Sequence, residues 1–299
     1  MPQTESDVIR ALREFRAAMD GADSALMADM AKKWLEMESK LNADISLLAY
    51  EFERRQRFGE TITEQMIWKA ERYQILKGRM QDEIAKYNRD YALGTIKAAQ
   101  ERFATLGISA ANEALLASYI KTNALSATWN RININAVQAM IGFAGDGSPL
   151  SKLLRNDYGD ASQGLMDALI NGLARGLNPA AIAAEMRDGF GMGLDRALLI
   201  ARTEAARAYR SGSIEQYRQS GVVSGYMRLV KKATACPACL FLDGQKFRTE
   251  DEMGDHPRGK CQIIPITIGV LPPTWQTGPQ WFALRSPEQQ RSILGAGRY

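Results

Sequence analysis

The sequence has very few of the side chains on which enzymes and secreted proteins often depend. Its 299 residues include 3 cysteines and 1 histidine. Three cysteines, all between positions 236 and 261, cannot build a disulfide framework, so we expect a chain made in a reducing cytosol. A single histidine also excludes any mechanism that needs one imidazole as a base and another as a metal ligand.

Several sequence signals are missing as well. No apolar run approaches the ~20 residues that a membrane span requires, and the first residues lack the apolar core of a signal peptide. No GxxxxGK[ST] or GxGxxG motif occurs, which argues against a phosphate-binding loop and a Rossmann fold. The net charge of +4 is mild and permits contact with nucleic acid without demanding it. We therefore expect no membrane partner.

Apolar stripes on charged helices dominate the first half of the chain. Apolar residues recur every three or four positions over residues 8–19, 34–52 and 73–91, which is the spacing of one helical face. Gly59 fits the left-handed end of the first helix. Two long helices joined by a short turn hide their stripes by packing antiparallel. We expect Trp68 and Tyr73 to lie in that core.

Glycine and proline divide the rest of the chain. The sequence predicts a linker over residues 142–149, short helices over 160–176 and 179–189, a break at Phe190–Gly193 and a long helix from Leu194 to Ser220. We assign no fold to the asparagine-rich residues 108–145. The predicted domains are a helical region over residues 1–145, a linker with short helices over 146–193, and a C-terminal module over 194–299.

The C-terminal module changes to strand-forming composition after Gly221. Strands are predicted over residues 222–232, 240–242 with 246–247, and 261–267, where Pro265 favours an edge position. Ser286 before Pro287 predicts the start of a last short helix. The predicted fold is mainly α with a small C-terminal α+β module: long antiparallel helices followed by a short-stranded, zinc-knuckle-like sheet.

One group of residues has the spacing of a metal site. Cys236, Cys239, His256 and Cys261 form the pattern C-x2-C-x16-H-x4-C, a complete Cys3His set for tetrahedral zinc. If all four bind, no position stays open for water, so the site is structural rather than catalytic. Two alternatives stay open: a CxxC redox pair, and a metal-free turn held by packing and hydrogen bonds.

Charged residues near this pattern offer further candidates. The acidic residues 250–252 and Asp255 could form a carboxylate metal site or a solvated loop. A basic helical face could contact DNA or only solvent; its members are Arg207, Arg210 and Arg218. We also expect Arg202, with Glu204, to tie the long helix to the β module or to another chain.

Four segments together carry a family resemblance. They are the helix Ala201–Tyr209 (ARTEAARAY), the CPAC knuckle followed by Asp243–Gly244, the segment His256–Cys261, and the closing Gln289–Gly295. In this order they resemble the phage Mu F-like minor head proteins, also called phage head morphogenesis proteins, over residues 160–299. The family often has His-Pro-x-Cys-x-Cys after the knuckle. In this chain Gly259 replaces the first cysteine of that pair.

The resemblance implies a structural minor head protein of a tailed phage or prophage. Such proteins associate with the portal vertex during head assembly, so the implied partners are the portal protein, the major capsid protein and packaged double-stranded DNA. The implied location is the virion, after the host cytoplasm during assembly. The alternative is a metal-dependent enzyme that acts on nucleic acid or protein within the head. We expect no enzymatic activity, and zinc as the only cofactor if one is bound.

Overall fold

The computed structural model of the chain describes residues 7–119, 138–144, 147–154, 167–172, 175, 177, 179–269 and 276–295. The helices are α1 (Asp7–Arg57), α2 (Glu64–Lys69), α3 (Glu71–Lys86), a π-helical segment (Tyr87–Ala92), α4 (Leu93–Tyr119), α5 (Pro179–Ser220), α6 (Pro237–Phe241), α7 (Gly278–Ala283) and α8 (Pro287–Leu294). The strands are β1 (Val223–Leu229), β2 (Lys246–Phe247) and β3 (Gln262–Thr267). The predicted fold class is confirmed.

Some predictions concern residues outside the described ranges. Much of the asparagine-rich stretch and the start of the helix predicted at 160–176 lie outside the described residues, whereas residues 150–154 and 167–172 are helical. Among the described helices, none is long and apolar enough to cross a membrane.

The chain forms two compact units, each built from separate segments. The first unit contains residues 1–23, 100–141 and 203–299, and the second contains residues 24–99 and 142–202. Because α1, α4 and α5 each run through both units, the unit boundaries fall inside helices. The predicted domains are continuous segments, and that division stays a prediction.

The second unit contains the antiparallel helix pair. Ion pairs join α1 to α3, and residue numbers fall along α1 as they rise along α3; the pairs are Glu51–Arg72, Asp44–Arg79 and Lys40–Glu83. Tyr73 lies in the core between the helices, as predicted, with 2% of its surface exposed. The antiparallel packing predicted from the two stripes is therefore confirmed.

The prediction for Trp68 is wrong, because 50% of its surface is exposed. This tryptophan belongs to α2, which Thr63 caps and which ends at Lys69. Ala70 then has extended backbone (φ −66°, ψ 125°) before α3 begins. That interruption resets the helical phase, so the stripe of α3 does not continue back through Trp68.

The predicted break at Phe190–Gly193 is also wrong, since α5 runs continuously from Pro179 to Ser220. A glycine inside a helix costs only about 1 kcal/mol relative to alanine, so local propensity does not end a helix that is stabilised by packing further along. The residues that follow the glycines supply such packing, because Ala197, Ile200 and Ala201 are buried in the core of the second unit.

The sheet belongs to the first unit and is antiparallel in the order β2-β1-β3. Pro265 lies on the edge strand β3, opposite Tyr226, as predicted. The strand predicted at 240–242 is wrong, because those residues end α6 and enter the turn that contains Gly244 (φ +88°). Ser286 caps α8 with a capping box, as expected from its position before Pro287.

Two glycines bring the backbones of α4 and α5 into contact within the first unit. A Cβ atom on Gly107 would overlap the carbonyl oxygen of Tyr209, and one on Gly212 would overlap the carbonyl oxygen of Ala104. Ser213 Oγ donates a hydrogen bond across the same contact to the carbonyl oxygen of Gly107 at 2.8 Å. Only glycine permits this approach, because a side chain would occupy the space of the facing backbone.

We expect Gly107→Ala to lower the free energy of unfolding by about 1–3 kcal/mol, because the added methyl group overpacks the α4–α5 contact. Helix propensity alone predicts the opposite sign, by about 1 kcal/mol. The matched control is Gly94→Ala on the same helix, where a Cβ meets no atom within 4 Å, and this change should be neutral or stabilising. Urea unfolding of both variants checks the prediction; equal stabilisation by the two would contradict it.

Candidate metal centre

The CxxC turn is built at the start of a short helix. Cys236 is the N-cap residue of α6 with extended backbone (φ −66°, ψ 157°), and Pro237 takes the first helical position. The Cys236 sulfur accepts a hydrogen bond from the backbone N–H of Cys239 at 3.4 Å. Because an N-cap side chain folds over the first turn, the two sulfurs of the motif lie close together.

His256 reaches this turn from the loop between β2 and β3. Its Nδ1 lies 2.8 Å from the carbonyl oxygen of Pro257, and its Nε2 lies 3.3 Å from Cys236 Sγ. If Nδ1 carries a proton, it can donate that proton to the carbonyl group and leave a lone pair on Nε2 for a metal ion. A second hydrogen bond of this kind orients the ring in most histidine–metal sites. The contact with Pro257 thus suits a histidine that binds metal through Nε2.

The donors form two overlapping triads rather than one compact group of four. The donor atoms of Cys236, Cys239 and His256 lie within 4.8 Å of one another, and so do those of Cys239, Asp255 and Cys261. Cys239 belongs to both triads, and its sulfur is 3.4 Å from that of Cys261. Sulfur and imidazole donors suit a thiophilic divalent ion better than magnesium or calcium. The structure thus brings all four predicted ligands into a cluster that could hold a metal ion.

Asp255 is the central residue of this cluster that the spacing pattern missed. Its side chain is 1% exposed and lies between two arginines, with Oδ1 3.0 Å from Arg228 and Oδ2 3.1 Å from Arg210. Oδ1 also accepts the backbone N–H of His256 at 3.0 Å. The Arg210 contact satisfies the distance of an ion pair but not the geometry of a hydrogen bond, so among the described residues Oδ2 has no hydrogen-bond donor. The sequence indicated Asp255 only as one carboxylate of an acidic loop.

The pKa values of the three cysteine thiols are shifted in different directions. A hydrogen bond from Cys239, supported by Arg228 and opposed by burial, lowers the pKa of Cys261 to about 7. The same contact with Cys261, together with burial, raises the pKa of Cys239 well above its ordinary value. Partial burial opposes ionisation of Cys236, but the N–H of Cys239 and the imidazole of His256 outweigh it and lower the Cys236 pKa. Cys236 and Cys261 therefore lose their protons more readily than Cys239, which lies between them.

A small cationic pocket opens beside the cluster. It has a volume of about 180 Å³ and is lined by the three cysteines and His256 together with Arg16, Lys231, Arg258 and Lys260. Arg258 has a left-handed backbone (φ 63°), and its N–H donates to Thr203 Oγ1 on α5 at 3.2 Å. Lys260 pairs with Asp20 at 2.7 Å. Arg16, Lys231 and Arg258 have no ion-pair partner among the described residues.

The other charged candidates lie elsewhere. Asp251 pairs with Arg248, and residues 250–252 belong to neither triad. The basic face predicted on α5 is wrong, because Arg210 is buried against Asp255. The other members of that face pair along the helix, as Arg207–Glu204 and Arg218–Glu215.

The expectation that Arg202, with Glu204, ties the long helix to the β module or to another chain stays a prediction. Glu204 is buried and pairs with Arg207 at 2.8 Å, which is the intrahelical contact that its spacing allows. Thr203, the residue between the two, accepts a hydrogen bond from the N–H of Arg258 in the loop of the β module.

One comparison with known proteins matches the segment that contains this site. A family model described as Phage Mu protein F like protein matches residues 163–263. This segment is therefore similar to the phage Mu F-like proteins. It is about a third of the chain and contains α5, the CxxC turn, His256 and Cys261. The resemblance drawn from the sequence is confirmed for that segment. No curated protein and no solved structure matches the chain.

We expect the purified protein to hold about one divalent metal ion per chain and to lose it in the variant Cys239→Ser, because Cys239 belongs to both triads. Elemental analysis after gel filtration measures the metal content. Glu252→Gln is the matched control, since this exposed carboxylate lies in the same loop but in neither triad. Equal metal content in the wild type and in Cys239→Ser would refute the site.

Proposed function

We propose that the chain is a structural minor head protein of a tailed phage or prophage that joins the portal vertex during head assembly. The observation that carries this proposal is the family match over residues 163–263, which includes the whole Cys/His cluster. On this proposal the protein is present in the host cytoplasm while heads assemble and afterwards in the virion. Its partners are the portal protein and the major capsid protein.

The metal of the proposed centre is zinc, and its role is structural. If a bound ion draws Cys261, which contacts Cys239, toward the triad of Cys236, Cys239 and His256, three thiolates and one imidazole complete a tetrahedral set. Such a set leaves no position for a reactive water molecule. Binding energy of this kind stabilises a small fold directly, and the sheet of the first unit has only three short strands. The alternative, a metal-dependent enzyme acting on nucleic acid or protein in the head, needs an open ligand position and a free base. The only histidine is held against Cys236 and Pro257.

Exposed apolar side chains near the end of α1, in the second unit, support the proposal that this chain binds a protein partner. Leu47 and Tyr50 lie three positions apart on α1 and are 55% and 62% exposed, and Phe58, in the turn that follows α1, is 85% exposed. Large side chains left in solvent mark interaction surfaces when they cluster. Leu47 and Tyr50 line a groove of about 450 Å³ that carries both charge signs; its lining is completed by Glu51, Glu53, Arg54, Arg57 and Arg72. We propose that the portal protein occupies this surface.

We expect the double variant Leu47→Ser/Tyr50→Ser to lose co-purification with the portal protein of the same phage while keeping the wild-type unfolding midpoint. Truncating exposed anchors removes binding without disturbing a core. The matched control is Ile268→Ser/Leu284→Ser, two exposed apolar residues of the first unit. Tagged portal protein, co-expressed with each variant, measures binding. If the wild-type chain is absent from purified heads by mass spectrometry, the proposed function itself fails.

A second proposed contact, with packaged DNA, rests on the cationic pocket. Arg16, Lys231 and Arg258 line it without ion-pair partners among the described residues. A neighbouring cavity of about 480 Å³ in the same unit shares Arg16 and Lys231 and adds Arg13, with Asp20 as its one acidic lining residue among those described. Cations that line a concave surface attract phosphate groups. The pocket, rather than the basic face that the sequence predicted on α5, is therefore the proposed DNA contact.

We expect the triple variant Arg16→Ala/Lys231→Ala/Arg258→Ala to bind duplex DNA more weakly and with a smaller salt dependence. Each lost phosphate contact lowers the slope of log K against log salt by about 0.9. The control Lys32→Ala/Lys69→Ala/Arg102→Ala removes the same charge from exposed positions elsewhere. Titrations at several salt concentrations decide the point. Identical slopes for both triple variants would assign the binding to net charge alone.

A further inference from the structure

Residue 259 has no room for a side chain. A Cβ atom built on Gly259 would overlap Cγ and both oxygens of the Asp255 carboxylate. The backbone does not require glycine at this position, because Gly259 is not among the residues with positive φ. Glycine is required at this position for steric reasons, because the carboxylate of Asp255 occupies the place of a Cβ atom.

The carboxylate cannot move aside at low cost. Arg228 and Arg210 hold its two oxygens, and the backbone N–H of His256 donates to Oδ1. Arg210 also donates to the carbonyl oxygen of Gly259 at 3.3 Å, which fixes the position of the glycine relative to the same guanidinium group. A side chain on residue 259 and the carboxylate of Asp255 therefore exclude each other.

The same carboxylate lies beside two of the candidate ligand sulfurs. Oδ1 is 3.8 Å from Cys239 Sγ, and Asp255 shares a triad with Cys239 and Cys261. A divalent ion and two buried arginines would bring four positive charges to this region, and three thiolates with Asp255 would bring four negative ones. The carboxylate completes the charge balance of the buried set, which a low-polarity interior requires.

We propose that Asp255 supplies the buried negative charge that a cysteine at position 259 would otherwise bring to the metal centre. The centre accepts one anion at this point, a carboxylate from residue 255 or a thiolate from residue 259, but not both. This inference rests on the proposed zinc centre. It gives a reason why glycine stands at the position where the resembling family often has cysteine.

We call the replacement of the Asp255 carboxylate by a thiolate at position 259 the exchange. Four proteins test it: the wild type, Asp255→Ala, Gly259→Cys and the double variant Asp255→Ala/Gly259→Cys. Zinc affinity is measured by competition with a chromophoric chelator, and the thiolate set by the charge-transfer absorption of the cobalt(II)-substituted protein. We expect each single variant to bind zinc about 10–100-fold more weakly. The double variant should recover most of that loss and show a stronger thiolate–cobalt band than the wild type.

The control is Gly254→Cys, a glycine of the same loop where a Cβ meets no atom within 4 Å, and it should bind zinc as the wild type does. A double variant no better than Asp255→Ala, or a Gly259→Cys variant with wild-type affinity, would overturn the proposal. If a single variant does not fold, the double variant decides: folded and zinc-bound supports the exchange, unfolded refutes it.

A wild type that binds no zinc refutes the proposed centre separately from the exchange. Urea unfolding midpoints of the same four proteins then test the exchange itself. A double variant more stable than both single variants supports the exclusion between the two positions, and additive losses contradict it.

Discussion

The buried ion pairs of Asp255 are the constraint on which the first unit depends. Arg210 comes from helix α5 and Arg228 from the central strand β1, and both are removed from solvent. A buried charge left without its partner costs about 3–5 kcal/mol, so neither arginine can be buried unless the loop supplies its carboxylate. The same loop carries His256 and leads into Cys261. These ion pairs thus hold the loop that carries two of the four candidate ligands.

Local sequence signals predicted the elements that depend only on neighbours along the chain. The apolar stripes of α1 and α3, the left-handed Gly59, the Ser286 cap and the edge position of Pro265 were all correctly assigned. Each rests on a rule that involves a few adjacent residues, such as helical period, capping or a missing N–H group. The four candidate ligands were predicted in the same way, from spacing alone, and their binding of a metal ion stays a prediction.

The features that failed depend on residues far apart in sequence. The helix α5 passes through glycines that signalled a break, because its later turns are packed into a core. Arg210 looked like part of a solvated face until Asp255, 45 positions further on, was placed against it. Residues 240–242 have strand-like composition, yet the N-cap at Cys236 starts a helix there. In these cases the deciding contact is made by a residue that local sequence rules do not consider. Composition and local pattern therefore gave the wrong prediction.

The contact of Gly107 with Tyr209 has a consequence for how this chain can exchange segments with related proteins. Tyr209 lies in the segment that matches the family, whereas Gly107 lies outside it. The matched segment is therefore not self-sufficient, because part of the surface that receives α5 comes from α4. A recombination event that exchanged only the matched segment would leave a foreign α5 against a groove shaped for this one. Inheritance of the segment is thereby tied to inheritance of the helices that precede it.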